Sequence, residues 1–162
     1  MAKRIITKIG DIFCVEADNS YKCYFQYVAN DMTVLNSSVI RVFAQHYPID
    51  YIPVFDDIVN DKVYFYAHTI LRFGILYNAW YKVGKHTNIG NPDEIYFRWF
   101  SDIDFSKINK SYNWSIWKIN QERQFIGDMK DQYAHFDLGI VLTYEDIVSK
   151  IKTGKFILKH ID

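Results

Sequence analysis

Cysteine occurs only twice in this 162-residue chain, at positions 14 and 23, with no CxxC spacing and no cysteine–histidine cluster. That excludes a disulfide framework and a structural zinc site. Proline, with three copies, and glycine, with seven, are too sparse for a low-complexity or collagen-like chain. No apolar run approaches the roughly 18 residues that a membrane-spanning helix needs. The basic start MAKRIITKIGDIF lacks an apolar core of signal-peptide length, so a cytoplasmic protein is expected, without a membrane partner. Net charge is missing too, because 19 Lys and Arg balance 19 Asp and Glu with no run of one sign. A nucleic-acid binder calls for a basic face and a ligand of a basic nuclease for an acidic one, so the overall balance argues for neither. Also absent are GxSxG, a P-loop, GxGxxG and any HxH, HxxxH or HExxH pair, so no catalytic residue, cofactor or metal is expected.

Aromatic residues are abundant. Twelve Phe, 13 Tyr and four Trp make up 18 % of the chain, on a background of 49 % apolar and 23 % charged residues. Aromatics favour pleated, half-buried surfaces, and Tyr and Trp also favour places where one end packs and the other meets a partner. At this length one β-rich domain spanning residues 1–162 is expected.

Local patterns place the elements. Asp11–Glu16 and Tyr21–Ala29 flank the turn residues Asp18 and Asn19 and read as a hairpin, and Ser38–Phe43 reads as a third strand. On that strand Ile40 and Val42 share one face, with Val39, Arg41 and Phe43 on the other. The stretch VFDDIVND after Pro53 reads as a single helical turn or a loop. Strands follow at VYFYAHTI, Gly74–Lys85 (which contains Trp80), Glu94–Phe100 and Tyr112–Ile119, and Gly84–Gly90 reads as a hairpin loop. A late helix is marked by Thr143 as cap, by Ile147 and Ile151 one turn apart, and by Gly154 as terminator. KFILKHI reads as a last strand. About eight strands followed by one helix predict a mainly β protein, an antiparallel curved sheet or SH3-like barrel with a C-terminal helix.

Several constellations invite a chemical reading. A hairpin loop of two or of four residues puts Cys14 directly opposite Cys23, as two small reduced core residues. His135 and Asp137 fall on one side of a strand and are the nearest approach to a metal pair. The carboxylate pairs Asp56/Asp57 and Asp102/Asp104 read as turn residues. On the strands Tyr64, Tyr66 and His68 share a face. Arg98 and Trp99 are neighbours on opposite faces, and Trp117 alternates with Trp114. Tyr, Trp and Arg are the residue types of interface hot spots and of base-stacking platforms.

At KIGDIFCVEADNSYKCYFQYV, the residues Gly10, Asp11, Phe13, Tyr21 and Tyr24 make the chain resemble the immunity protein 26 family of bacterial polymorphic-toxin systems. The likeness covers about the first forty-five residues, with an echo at HTI, residues 68–70. Relatives often carry glycine where this chain has Phe25 or Gln26. The resemblance implies a mostly β, cytoplasmic protein that binds and neutralises a toxin domain delivered by another bacterium, with no catalytic residues to carry over.

The expectation is therefore a non-enzymatic binding protein whose partner is a toxin protein domain. Its candidate contact residues are Tyr64, Tyr66, His68, Trp80, Arg98, Trp99 and Trp117. Two other readings compete: a small barrel stacking single-stranded nucleic acid on Tyr64, Tyr66, Trp99 or Trp117, and a metal-dependent hydrolase centred on His135 and Asp137.

Overall fold

The computed structural model describes residues 4–102 and 110–160, so Asp104 lies outside the described residues. The chain opens with the expected hairpin, β1 (Asp11–Ala17) and β2 (Tyr21–Asp31), followed by β3 (Ser37–Phe43). Asp18 and Asn19 turn it with φ of 52° and 57°, a left-handed geometry that Asp and Asn tolerate better than most side chains. A short β4 (Tyr47–Pro48) and the helical turn α1 (Phe55–Ile58) come next, then β5 (Val63–Thr69), α2 (Leu71–Leu76) and β6 (Tyr81–Lys85). The remainder comprises β7 (Tyr96–Phe100), β8 (Trp114–Lys118), β9 (Gln124–Gly127), β10 (Asp137–Leu138), β11 (Val141–Leu142) and α3 (Tyr144–Thr153).

Two mixed sheets result, both open. The larger runs β11-β5-β3-β2-β1-β6, with β4 pairing the start of β2 beyond the end of β3. The smaller runs β10-β7-β8-β9. The expected barrel does not form among the described residues. The large sheet is instead covered on both faces, which removes the need to curl around its own core. On one face Phe13, Phe25, Ile40, Val42 and Phe65 pack with Trp80 and with Ile147 and Ile151 of α3. On the other, Val28 and Val39 meet Phe97 and Trp117 of the small sheet, while Cys14, Tyr24 and Phe43 lie with Ile58 and Val59 of the α1 turn. The alternation read on β3 is therefore real, with both of its faces buried.

Three expectations about the first ninety residues are corrected. Cys14 does not face Cys23: the loop has three residues, closed by a Ser20 N–H to Ala17 O bond of 2.9 Å, so Cys14 pairs with Tyr24 and Val15 with Cys23. One residue of register puts the two thiols on opposite faces of the sheet. Gly74–Lys85 is not one strand, because its first part is helical in α2 and pairing begins only at Tyr81. Gly84–Gly90 is not a hairpin loop either, since it leads from β6 of the large sheet toward β7 of the small one.

The expected helix is present as α3. The Thr143 hydroxyl accepts the Asp146 N–H at 3.1 Å, and Gly154 ends the helix at φ 80°. The described part of KFILKHI, residues 155–160, however, forms no strand. Its Leu158 N–H is taken by the Asp146 carboxylate at 2.7 Å, and Phe156 and Leu158 pack on the core beneath α3. No helix among the described residues is long and apolar enough to cross a membrane.

Candidate functional site

The clearest unfinished surface is α2. Its sequence, LRFGIL, has one polar residue, Arg72, so apolar side chains fall on its outer as well as its inner face. Leu71 and Gly74 point inward and Ile75 packs on the core. The close approach requires glycine at 74: a Cβ there would lie 1.9 Å from Cε2 of Trp80, whose Nε1–H donates to Leu71 O at 3.1 Å. With that inner face satisfied, the outer face carries Ile70, Phe73, Leu76 and Tyr77 at 44, 39, 52 and 60 % exposure. Tyr77 stacks on Tyr144 at the start of α3, with ring centroids 5.4 Å apart. Between them and Val141 lies an apolar cleft of about 440 Å³, with Glu145 at its rim. Arg72 extends over the Phe73 ring at 5.6 Å from its centroid, within the roughly 6 Å reach of a cation–π contact.

Of the residues expected to meet a partner, three are core. His68 is fully buried, and its Nε2 donates to Asp31 Oδ2 at 2.9 Å. Trp117 donates its Nε1–H to the same oxygen at 2.8 Å, while Asp31 Oδ1 accepts the Val34 and Asn120 N–H groups at 3.3 and 3.2 Å. Asp31 thus fastens β2 and β5 of one sheet to β8 of the other. Burial holds the His68 imidazole below its ordinary pKa, against the pull of Asp31. Its Nδ1 has no partner, which fits a neutral ring protonated on Nε2. The third, Trp80, is 2 % exposed and packs edge-on to Phe25.

The other four do not converge. Tyr64 is exposed beneath the Lys150 ammonium, 5.5 Å from its ring. Tyr66 is half-buried, and its N–H donates to Asp137 Oδ2 at 2.9 Å. Arg98 donates Nε–H to Phe136 O at 2.9 Å and lies over the Trp114 ring. Trp99 is half-buried beside a cleft of the small sheet. The four stacking residues considered for nucleic acid therefore form no common platform, Trp117 being internal.

His135 is exposed and makes its ring contact with Phe136, while the Asp137 carboxyl turns to the Tyr66 N–H. Burial pushes the Asp137 carboxyl up to about 6. Among the described residues no group of three or more His, Cys, Asp or Glu stands close enough to hold a metal ion. Burial likewise raises both thiols, Cys23 to about 12. Asp56 and Asp57 occupy the first turn of α1, and Asp102 accepts bonds from Ser111 at 2.8 Å and from the Asn113 side chain.

The residues that carry the family resemblance do structural work. Gly10 has φ 103°, and a Cβ there would sit 2.9 Å from His86 O. Asp11 accepts the Lys8 N–H and pairs with Lys82, and Phe13 and Tyr24 lie in the core. Gln26 is buried with Arg41, whose Nε and Nη2 donate to its Oε1 at 3.0 and 2.8 Å. No family model, curated protein or solved structure matches the chain.

Proposed function

We propose that the chain is a non-enzymatic binding protein of the immunity type, which neutralises a bacterial toxin domain by direct contact through the outward face of α2 and the start of α3. One observation carries this reading: a helix whose inner face is already packed holds a second apolar face, Ile70, Phe73, Leu76 and Tyr77, in water. Leaving such a cluster exposed forgoes about 25 cal/mol for each Å² of apolar area that a partner would cover. Tyr77 and Tyr144 add rigid aromatic area of the kind that anchors interfaces. The resemblance of the first forty-five residues supplies the class of partner.

Co-expression with the toxin domain encoded in a neighbouring reading frame tests the reading. Growth rescue and a stable complex are expected from the parent chain, and both should be lost in a Phe73→Asp, Leu76→Asp double variant that remains folded. Rescue without a complex, or a complex indifferent to the double variant, would remove this surface from the reading.

A further inference from the structure

A second cleft, of about 370 Å³, opens on the small sheet where the chain crosses from β10 to β11 at Gly139 and Ile140. Its volume is in the range of small-molecule sites, about 300–1,000 Å³. Trp99 forms one wall, and it is the only tryptophan of four with an accessible ring, Trp80, Trp114 and Trp117 being 1–2 % exposed. Leu35 forms another, held at φ 65°, a left-handed conformation that costs a residue with a Cβ roughly 1–3 kcal/mol. Its side chain also packs against the cluster between the two sheets that holds Val39, Phe97 and Trp117.

The polar groups of the cleft have one sign. Arg123 stands at its edge, with its guanidinium 5.1 Å from the centre of the Trp117 ring and no carboxylate within ion-pair distance among the described residues. Ser101, whose hydroxyl also donates to Asn113 O at 3.4 Å, and Ser115 contribute hydroxyls, and no Asp or Glu among the described residues lines the walls. Gly139 on the floor lies against Trp117 so closely that a Cβ would come within 2.0 Å of the ring. The cleft side of the Trp99 indole, whose ring also stacks on Phe100 with centroids 4.5 Å apart, a cation with no counter-ion among the described residues, and two hydroxyls form a complementary set for a flat ring that carries negative charge. The ring stacks on Trp99, and the charge is met by Arg123 with a serine hydroxyl.

We infer that the Trp99–Arg123 cleft binds an aromatic anion, an aryl group bearing a phosphate or carboxylate, independently of the α2 surface. The purified chain is titrated with adenosine monophosphate and with indole-3-acetate, and, as halves of that chemistry, with adenosine and with inorganic phosphate. Binding is followed by heat and, for the nucleotide and phosphate arms, by tryptophan fluorescence. At least one of the two anions should saturate with a Kd below about 1 mM, and each half should bind at least about tenfold more weakly. Which anion saturates distinguishes the phosphate from the carboxylate source. Arg123→Gln, an exposed change, should weaken the anion at least about tenfold while leaving adenosine unchanged. Trp99→Phe should remove most of the fluorescence response while the heat persists. The inference is overturned if neither anion binds below about 1 mM, if the halves bind as well as the whole, or if Arg123→Gln leaves the anion's affinity unchanged.

Discussion

A single missing Cβ decides the shape of α2. Glycine inside a helix is worth about 1 kcal/mol less than alanine, so on propensity alone Gly74→Ala should stabilise. Packing opposes it, because the new methyl would lie 1.9–2.5 Å from three atoms of the buried Trp80 indole, which has a bonded Nε1 and no room to swing away. Overpacking of that kind costs about 1–3 kcal/mol. Gly74→Ala should therefore fail to stabilise and should cost up to about 2 kcal/mol in urea unfolding, and a more stable variant would show that Trp80 has another place to go. The cysteines show where reading at this scale stops. Their burial was legible from strand composition, but their relation depended on whether a loop counted two, three or four residues, and the residue types Asp, Asn and Ser suit all three.

Elements were legible where their ends are chemically marked. α3 could be placed because Thr143 caps it, acids begin it, lysines end it and Gly154 stops it, all local interactions. α2 could not, because it has no side-chain cap and is only six residues long. Its apolar run then merges with Trp80 and Tyr81 into what looks like a strand. The signal present was the spacing of Ile70, Phe73 and Tyr77, offset by one residue from Leu71 and Ile75, two helical stripes on one short segment. KFILKHI failed for a different reason, since its residues suit a strand but its Leu158 N–H found a carboxylate instead of a neighbouring strand. At the surface of α2 the expected cost of mutation is small. Phe73→Asp with Leu76→Asp should shift unfolding by no more than about 1–2 kcal/mol, because each side chain is only partly covered, at 39 and 52 % exposure. The same pair should raise solubility, read as the concentration at which the protein begins to self-associate in sedimentation. A loss of several kcal/mol would mean that these residues belong to the core.

At the scale of the molecule the fold depends on how its two sheets are joined, and the least legible residue is the most connected. Asp31 reads as an ordinary turn acid in NDMT, yet it accepts four N–H groups from residues as far along the chain as Asn120. Three of those donors, the His68 and Trp117 side chains and the Asn120 N–H in the turn after β8, are brought within reach only by the tertiary structure. Replacing Asp31 by Ala should cost about 3–5 kcal/mol, since it orphans buried donors, whereas a Val39→Ala cavity nearby should cost less, about 1–3. Equal losses in chemical unfolding would show that the carboxylate is no more than filler.

Acid should act on this joint through two groups of opposite sign. Burial lowers the pKa of His68 from its ordinary value of 6.5, so below that pH the unfolded chain takes up a proton that the folded chain refuses, and stability falls as pH falls. Asp137 behaves in the reverse sense. Its carboxyl, raised from 3.8 to about 6, holds a proton in the folded state that the unfolded state has released, so its contribution is present at low pH and is lost as pH rises through about 6. From pH 7 down to about 6 the histidine uptake runs ahead of the carboxyl's, and stability should decline. Below about 6 the two uptakes offset each other, one proton on each state, and this part of the decline should level. His68→Gln keeps a donor toward Asp31 but does not titrate, so it should flatten the upper part of the curve. Asp137→Asn cannot take up the compensating proton, so its stability should go on falling below pH 6 where the parent levels. Urea midpoints measured at half-unit steps from pH 7.5 to 4.5 test both variants, and parallel curves for all three proteins would exclude His68 and Asp137 as the groups that set the acid response.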